Sequence, residues 1–236
     1  MTAMTGTLFA LVISSVLFVG SHIVLPMASV RTRLVGGIGE AGYMIGYSVL
    51  SIALLAWMIL AFTAAPEVIL YEPGTAMRHS SLTLMLIASF LFVGGTFSRN
   101  AGTVQGAKLG WDPEIRGIFK ITRHPVMWSV ALWGISHMLA NGRLAAWVFF
   151  GAMTVLALAG AAHIDRRKRV AMGEVWENFE ASTSFWPLGA IAMGRTRMEK
   201  GEIPWWQTLL AIVIYVGMLI GHEWAGRVVF PILSFG

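Results

Sequence analysis

The chain has 236 residues, 56% of them hydrophobic and 12% charged, with a mean hydropathy of +0.70. A soluble domain carries roughly 25% charged residues, so a soluble enzyme is excluded, and the apolar content excludes disorder and low-complexity structure. The net charge of +5 and pI near 10.0 do not mark a nucleic-acid binder, because the basic residues lie between apolar runs. A membrane protein with Lys/Arg-rich loops gives the same balance. The chain has no cysteine, which removes disulfides, zinc–thiolate sites, iron–sulfur clusters and thiolate-ligated haem, and leaves any metal or haem to His, Met, Tyr or carboxylate.

Six apolar stretches follow in order, near residues 6–28, 42–65, 80–98, 118–141, 144–164 and 204–222. Each approaches the roughly 20 residues that cross about 30 Å of hydrocarbon as a helix. Lipid satisfies no backbone groups, and barrel-like alternation is absent, so helices are required. The expected fold is an all-α polytopic transmembrane helix bundle of about six spans, forming one domain over 1–236. The first stretch has no Lys or Arg before it and is long for a signal peptide, so it reads as a retained helix.

The loops set the orientation. Arg31 and Arg33 lie in the first loop, where Gly36-Gly37-Ile38-Gly39-Glu40 reads as loop glycine. Arg99, Lys108, Arg116, Lys120 and Arg123 lie in the third, and Arg166, Arg167, Lys168, Arg169, Arg195, Arg197 and Lys200 in the fifth. Arg78, Arg143 and Arg227 fall on the opposite side, so fourteen of the seventeen basic residues share one face. The positive-inside rule places that face in the cytoplasm and both termini outside, as for a multi-pass protein of a bacterial inner membrane. Asn141-Gly142-Arg143 predicts a tight hairpin between the fourth and fifth spans. The fifth loop, 165–203, opens with a charged amphipathic helical run from Asp165 to Glu180. Trp186-Pro187 and Pro204-Trp205-Trp206 suit the membrane interface.

All six histidines, His22, His79, His124, His137, His163 and His222, lie within or at the ends of these stretches. Ionisable groups at membrane depth are costly and point to function, and a His pair is a candidate metal or haem ligand set. His22 follows Gly20-Ser21. His137 follows Trp133-Gly134, with Trp133 four residues earlier on the same face. The small residues clear space for a flat ligand; helix packing through the same small residues is an equal alternative at either site. Arg123-His124-Pro125 opens the fourth span, with Pro125 suited to the first turn and Thr122 a candidate cap. Arg123 and His124 are thus candidate anion binders at a helix N-terminus. His163, His222 and His79 read as interfacial or supporting groups. No GxSxG elbow, HExxH zinc site, Walker loop or dinucleotide fingerprint is present.

The run Gly117-Ile118-Phe119-Lys120-Ile121-Thr122-Arg123-His124-Pro125 comes first among several matched motifs. Trp133, His137, Asn141-Gly142, Asp165-Arg166-Arg167, Gly173-Glu174, Phe179-Glu180, Thr183-Ser184 and Pro187-Leu188 follow it, and His22, Arg31 and Gly39-Glu40 precede it. Together these motifs resemble the NnrU family of integral membrane proteins, which includes a plant branch of 15-cis-zeta-carotene isomerases. The resemblance covers most of the chain and is most specific over 117–190. It implies a haem b cofactor with two axial histidines, matching His22 and His137. It also implies either cis–trans isomerisation of a conjugated polyene or, through the bacterial members, an accessory role beside respiratory denitrification enzymes. Gly134 stands where the plant branch has a cysteine. With both termini outside, His22 and His137 would differ by roughly 10–15 Å in depth at 1.5 Å per residue, and His79 is then the alternative ligand for His137. A membrane methyltransferase using S-adenosylmethionine is a third reading, carried by Arg123-His124-Pro125. Trp128-Ser129 and Arg166-Arg167 depart from that pattern.

Overall fold

The computed structural model describes residues 6–98 and 115–224. Arg99, Lys108 and Arg227, used above for orientation, lie outside the described residues. Among the described residues the secondary structure is helical, apart from one isolated bridge between Ile69 and Arg143. The helices are α1 (Leu8–Val24), α2 (Ala28–Ala64), α3 (Thr75–Phe97), α4 (Ile118–Ile121), α5 (Pro125–Ala140), α6 (Leu144–Met172), α7 (Glu174–Ser182), α8 (Gly189–Ala192) and α9 (Trp205–Trp224). α2, α3, α6 and α9 are long and apolar enough to cross a membrane, and α1 and α5 are shorter apolar helices of 17 and 16 residues. Each of the six apolar stretches is helical over most of its length, and the chain is an all-α multi-pass membrane protein.

Two boundaries differ from the expectation. Residues 29–41, read as a loop, are helical and join the second span, because glycine at a helix end weakens the helix without ending it. The exception is Gly39, whose φ of 74° and ψ of 165° interrupt α2. Across that break Arg31 pairs with Glu40 at 2.5 Å and lies 5.4 Å over the Tyr43 ring, while the Tyr43 hydroxyl donates to the Leu25 carbonyl at 3.1 Å. The ion pair is exposed and contributes little; the turn is held by the glycine conformation. An L-residue at these angles is strained by roughly 1–3 kcal/mol. Gly39→Ala is accordingly expected to lower thermal stability in detergent by that amount, while Gly36→Ala, in regular helix, is not.

The second difference lies in 118–141, read as one span. α4 ends at Ile121, Thr122 is extended, and α5 starts at Pro125. Proline disfavours helical backbone in the residue before it, so the chain must enter α5 from outside the helix. His124, not Thr122, holds the position preceding α5, and its carbonyl accepts from Trp128 N at 2.9 Å.

The described residues divide into two compact units, each discontinuous in sequence. The first comprises residues up to Leu82 with Val130–Val170, and the second Thr83–Ser129 with the chain from Ala171. The core of the first unit joins Leu11 and Phe18 of α1, Met58 and Ala61 of α2, and Ala145, Ala146, Phe149 and Phe150 of α6, with Trp133 and Met138 of α5 packed against them. Large and very small side chains alternate in this set, which lets helices approach closely in lipid. The expected hairpin at Asn141-Gly142-Arg143 is present. It is fastened to 68–70 by Leu70 N to the Gly142 carbonyl and Leu144 N to the Val68 carbonyl, both 2.8 Å, and by the Tyr71 hydroxyl donating to the Met138 carbonyl. In the second unit Trp176 and Phe179 of α7 are buried with Ile115 and Met172 around them.

Candidate functional site

His22 and His137 both belong to the first unit, and each lies in the last turn of its helix. The His22 Nδ1 lies 2.8 Å from the Phe18 carbonyl, and the His137 Nδ1 lies 2.8 Å from the Trp133 carbonyl. A carbonyl only accepts, so each Nδ1 donates its N–H to it, the tautomer in which a neutral ring would carry its lone pair on Nε2. That tautomer is the one a metal-ligating imidazole needs, with the other nitrogen anchored by a backbone acceptor. The anchoring itself is a property of histidine on a helix: His222 makes the same bond to the Met218 carbonyl at 2.8 Å. Surroundings distinguish the sites. His222 is exposed, whereas His22 and His137 are half-buried among aromatic rings.

Around His22, the Phe18 ring centroid lies 4.4 Å away and that of Tyr47 5.5 Å away, with Tyr43 stacked on Tyr47 at 6.1 Å. Around His137, the Phe150 ring stacks at 4.5 Å and Trp133 lies 5.1 Å away. Phe18 and Phe150 belong to one apolar cluster and Trp133 packs against it, so the two imidazoles border the same core. The glycines beside them do different work. A Cβ on Gly134 would meet the Phe150 carbonyl at 2.8 Å and the Thr154 side chain, so there the small residue serves packing of α5 on α6. A Cβ on Gly20 would meet nothing within 4 Å. Behind His137, the Ser81 hydroxyl lies 2.9 Å from both the carbonyl and the hydroxyl of Ser136 and ties the start of α3 to α5.

His79, the alternative ligand, is exposed near the start of α3. His163 is half-buried, and its Nε2 is buried without a hydrogen-bond partner.

Arg123 and His124 lie in the second unit. The guanidinium of Arg123 pairs with Glu180 at 3.2 Å, both side chains largely buried, and lies 6.0 Å over the Phe185 ring. His124 is buried, its ring 5.5 Å from Phe185 in a T-shaped contact. The expected anion thus has a resident counterpart, the Glu180 carboxylate. The motif also holds the segment after α7. Arg123 N donates to the Ser184 carbonyl at 2.9 Å, the Thr122 hydroxyl to the Phe185 carbonyl at 2.8 Å, Trp128 Nε1 to the same carbonyl at 2.8 Å, and Leu188 N to the Ile121 carbonyl at 2.7 Å. Thr122 works as a strap and accepts from His124 N at 3.3 Å. Glu180, Tyr47 and Phe150 escaped the residue-by-residue reading, since no spacing rule links them to Arg123, His22 or His137.

A second buried ion pair closes the same unit. Lys120 Nζ donates to a Glu202 carboxylate oxygen and, at 2.8 Å, to the Arg197 carbonyl. Burial alone would raise the Glu202 pKa, but the hydrogen bond and charge of Lys120, with the N–H groups of Glu199 and Gly117, outweigh it and hold the group below the ordinary glutamate value. A carboxyl with a lowered folded-state pKa stabilises the fold above its unfolded value and loses that contribution as pH falls through the folded value. Stability is therefore expected to fall from about pH 5 downward, near the unfolded glutamate pKa of about 4.3. Glu202→Gln should flatten that acid limb and leave the neutral range without slope, as read from unfolding temperatures across pH.

A family model described as NnrU protein matches residues 10–229. The chloroplastic 15-cis-zeta-carotene isomerase of Zea mays is 30% identical over 184 residues, which cover 74% of this chain and 48% of the relative. The chain thus spans about half the length of that relative. No solved structure matches.

Proposed function

This chain belongs to the NnrU family, and on that premise we propose that it is a haem b membrane protein that isomerises a cis double bond in a long conjugated polyene of the zeta-carotene type. His22 and His137 would hold its iron in this reading. The observation that carries it is the pair of imidazoles bordering one aromatic core, each with Nδ1 anchored on a backbone carbonyl. Imidazole is the donor type of a bis-histidine haem, and the reading requires the last turns of α1 and α5, which carry the two rings, to lie at one depth. The chemistry such a group would supply when bound in its ferrous form is electron density to the polyene π-system, which would lower the barrier to rotation about a double bond.

The chain's own residues have narrower tasks. His22 and His137 hold the metal from two helices. Phe18, Tyr47, Trp133 and Phe150 exclude water and give a conjugated hydrocarbon apolar surface to lie against. Isomerisation transfers no proton and forms no lasting bond, so the site requires neither a nucleophile nor an acid–base pair. Arg123 serves the docking of 184–188, because its charge is already met by Glu180. Calorimetry with S-adenosylmethionine is accordingly expected to give no binding heat.

The test is reconstitution of the purified, haem-loaded protein in liposomes containing 15-cis-zeta-carotene, under dithionite and without oxygen, with isomers separated by chromatography. Loss of the 15-cis isomer in the reduced sample only is the expected result. Unchanged substrate with loaded, folded protein would remove the isomerase part and leave a haem-carrying accessory role in respiration.

A further inference from the structure

The segment between α7 and α9 carries large apolar side chains that stay mostly exposed, even though the Trp186 ring meets that of Trp128 at 5.3 Å. Trp186 is 64% exposed, Leu188 55% and Met193 73%. Leu188 also has a φ of 64°, a left-handed conformation that is costly for a bulky residue. Its N–H is spent on the Ile121 carbonyl, so the fold holds a strained leucine with its side chain outward. In a water-facing loop such an arrangement would lose on both counts.

The position of the segment resolves this. At one end it is bonded to 121–128, where α5 begins. At the other it runs into Pro204 and Trp205, where the spanning helix α9 begins. There Trp206 meets Phe97 at the end of α3, 5.8 Å between ring centroids. Three helix ends of the second unit thus fix its level, which is the level of the membrane surface. Its cations are Arg195, Arg197 and Lys200, against Glu199 and a Glu202 already paired with Lys120. Arg195 caps α7, donating to the Glu180 and Ala181 carbonyls at 3.2 and 3.0 Å. Arg197 and Lys200 are exposed.

We propose that residues 186–200 form a plate lying in the headgroup layer, with Trp186, Leu188 and Met193 inserted among acyl chains and Arg197 and Lys200 on anionic phospholipid headgroups. Aromatic residues favour this depth, long cationic side chains reach headgroups while their stems stay apolar, and each exposed cation near an anionic surface adds roughly fivefold to partitioning. The α8 turn then acts as an oar blade, setting the height of the strap that Arg123 and Thr122 hold.

The cysteine-free chain allows a clean test. Single variants Trp186→Cys and Met193→Cys carry a nitroxide label in nanodiscs, with Ile212→Cys in α9 as the lipid reference and Asn178→Cys in α7 as the water reference. The reading is collision with oxygen against collision with a water-soluble nickel chelate. Labels at 186 and 193 are expected to match 212, with an oxygen-to-nickel ratio several-fold above that at 178. Labels that match 178 would overturn the proposal. In nanodiscs of phosphatidylcholine with phosphatidylglycerol the ratio at 193 should exceed that in phosphatidylcholine alone, and Arg197→Gln/Lys200→Gln should remove the difference. Equal ratios in both lipids for the unsubstituted cations would overturn the headgroup contact. Unaltered unfolding temperatures of the labelled proteins exclude misfolding as the cause of either result.

Discussion

His137→Ala is expected to yield folded protein that retains no haem, and His22→Ala the same. Each histidine would supply one of the two donors that hold the haem in the proposed reading, and alanine offers none. Neither ring is a large part of the core, which rests on Leu11, Phe18, Met58, Phe149 and Phe150, so the helices should still assemble. The cost in stability is that of a small cavity beside Phe150 or Tyr47, on the order of 1–3 kcal/mol. The loss of colour, by contrast, should be complete. His222→Ala is the control, since that imidazole makes the same carbonyl bond while exposed. His79→Ala separates the two ligand pairs: a full bis-histidine spectrum is expected, because His79 is exposed. If His79→Ala bleaches the protein and His22→Ala does not, the pair is His79 and His137.

The second large effect is expected at Arg123. Arg123→Ala leaves the Glu180 carboxylate buried without its cation, and breaking one partner of such a pair costs about 3–5 kcal/mol. It also loosens the strap of Thr122, Ser184 and Phe185 that Arg123 itself bonds. The unfolding temperature in detergent should drop sharply. Arg123→Met/Glu180→Met should recover most of the loss, since replacing both charges by apolar groups of similar volume removes the unpaired carboxylate. Haem content in the double variant distinguishes docking from cofactor contact. Retained haem is expected, and a folded double variant without haem would give Arg123 a propionate to hold.

These two sites differ in how far they could be read from residues alone. The spans were legible because lipid demands a run of apolar residues long enough to cross it, and each of the six runs is helical over most of its length. The glycine run before the second span was not, since only Gly39 among its glycines takes an angle that helix forbids. The break before α5 was half legible, because Pro125 announces it but its register depends on Thr122 and His124 bonding locally. At the candidate site the histidines stood out by residue type. Gly134 carried two equal readings, a clearing for a ligand and helix packing, and packing holds because its space is taken by α6, a contact that only tertiary structure decides. The partnership of Arg123 with Glu180 joins residues 57 positions apart, and the strap reaches from 121–128 to 184–188 through backbone groups, which carry no sequence signal.

The central claim is that His22 and His137 hold a b-type haem, and the absorption spectrum of the purified wild-type protein tests it most directly. Protein from haem-replete cells should give a Soret band, sharpened visible bands on reduction by dithionite, and a pyridine haemochrome of type b in a one-to-one ratio with the chain, as a single bis-histidine site requires. A folded, monodisperse preparation without a Soret band, and without one after incubation with haemin, would contradict it.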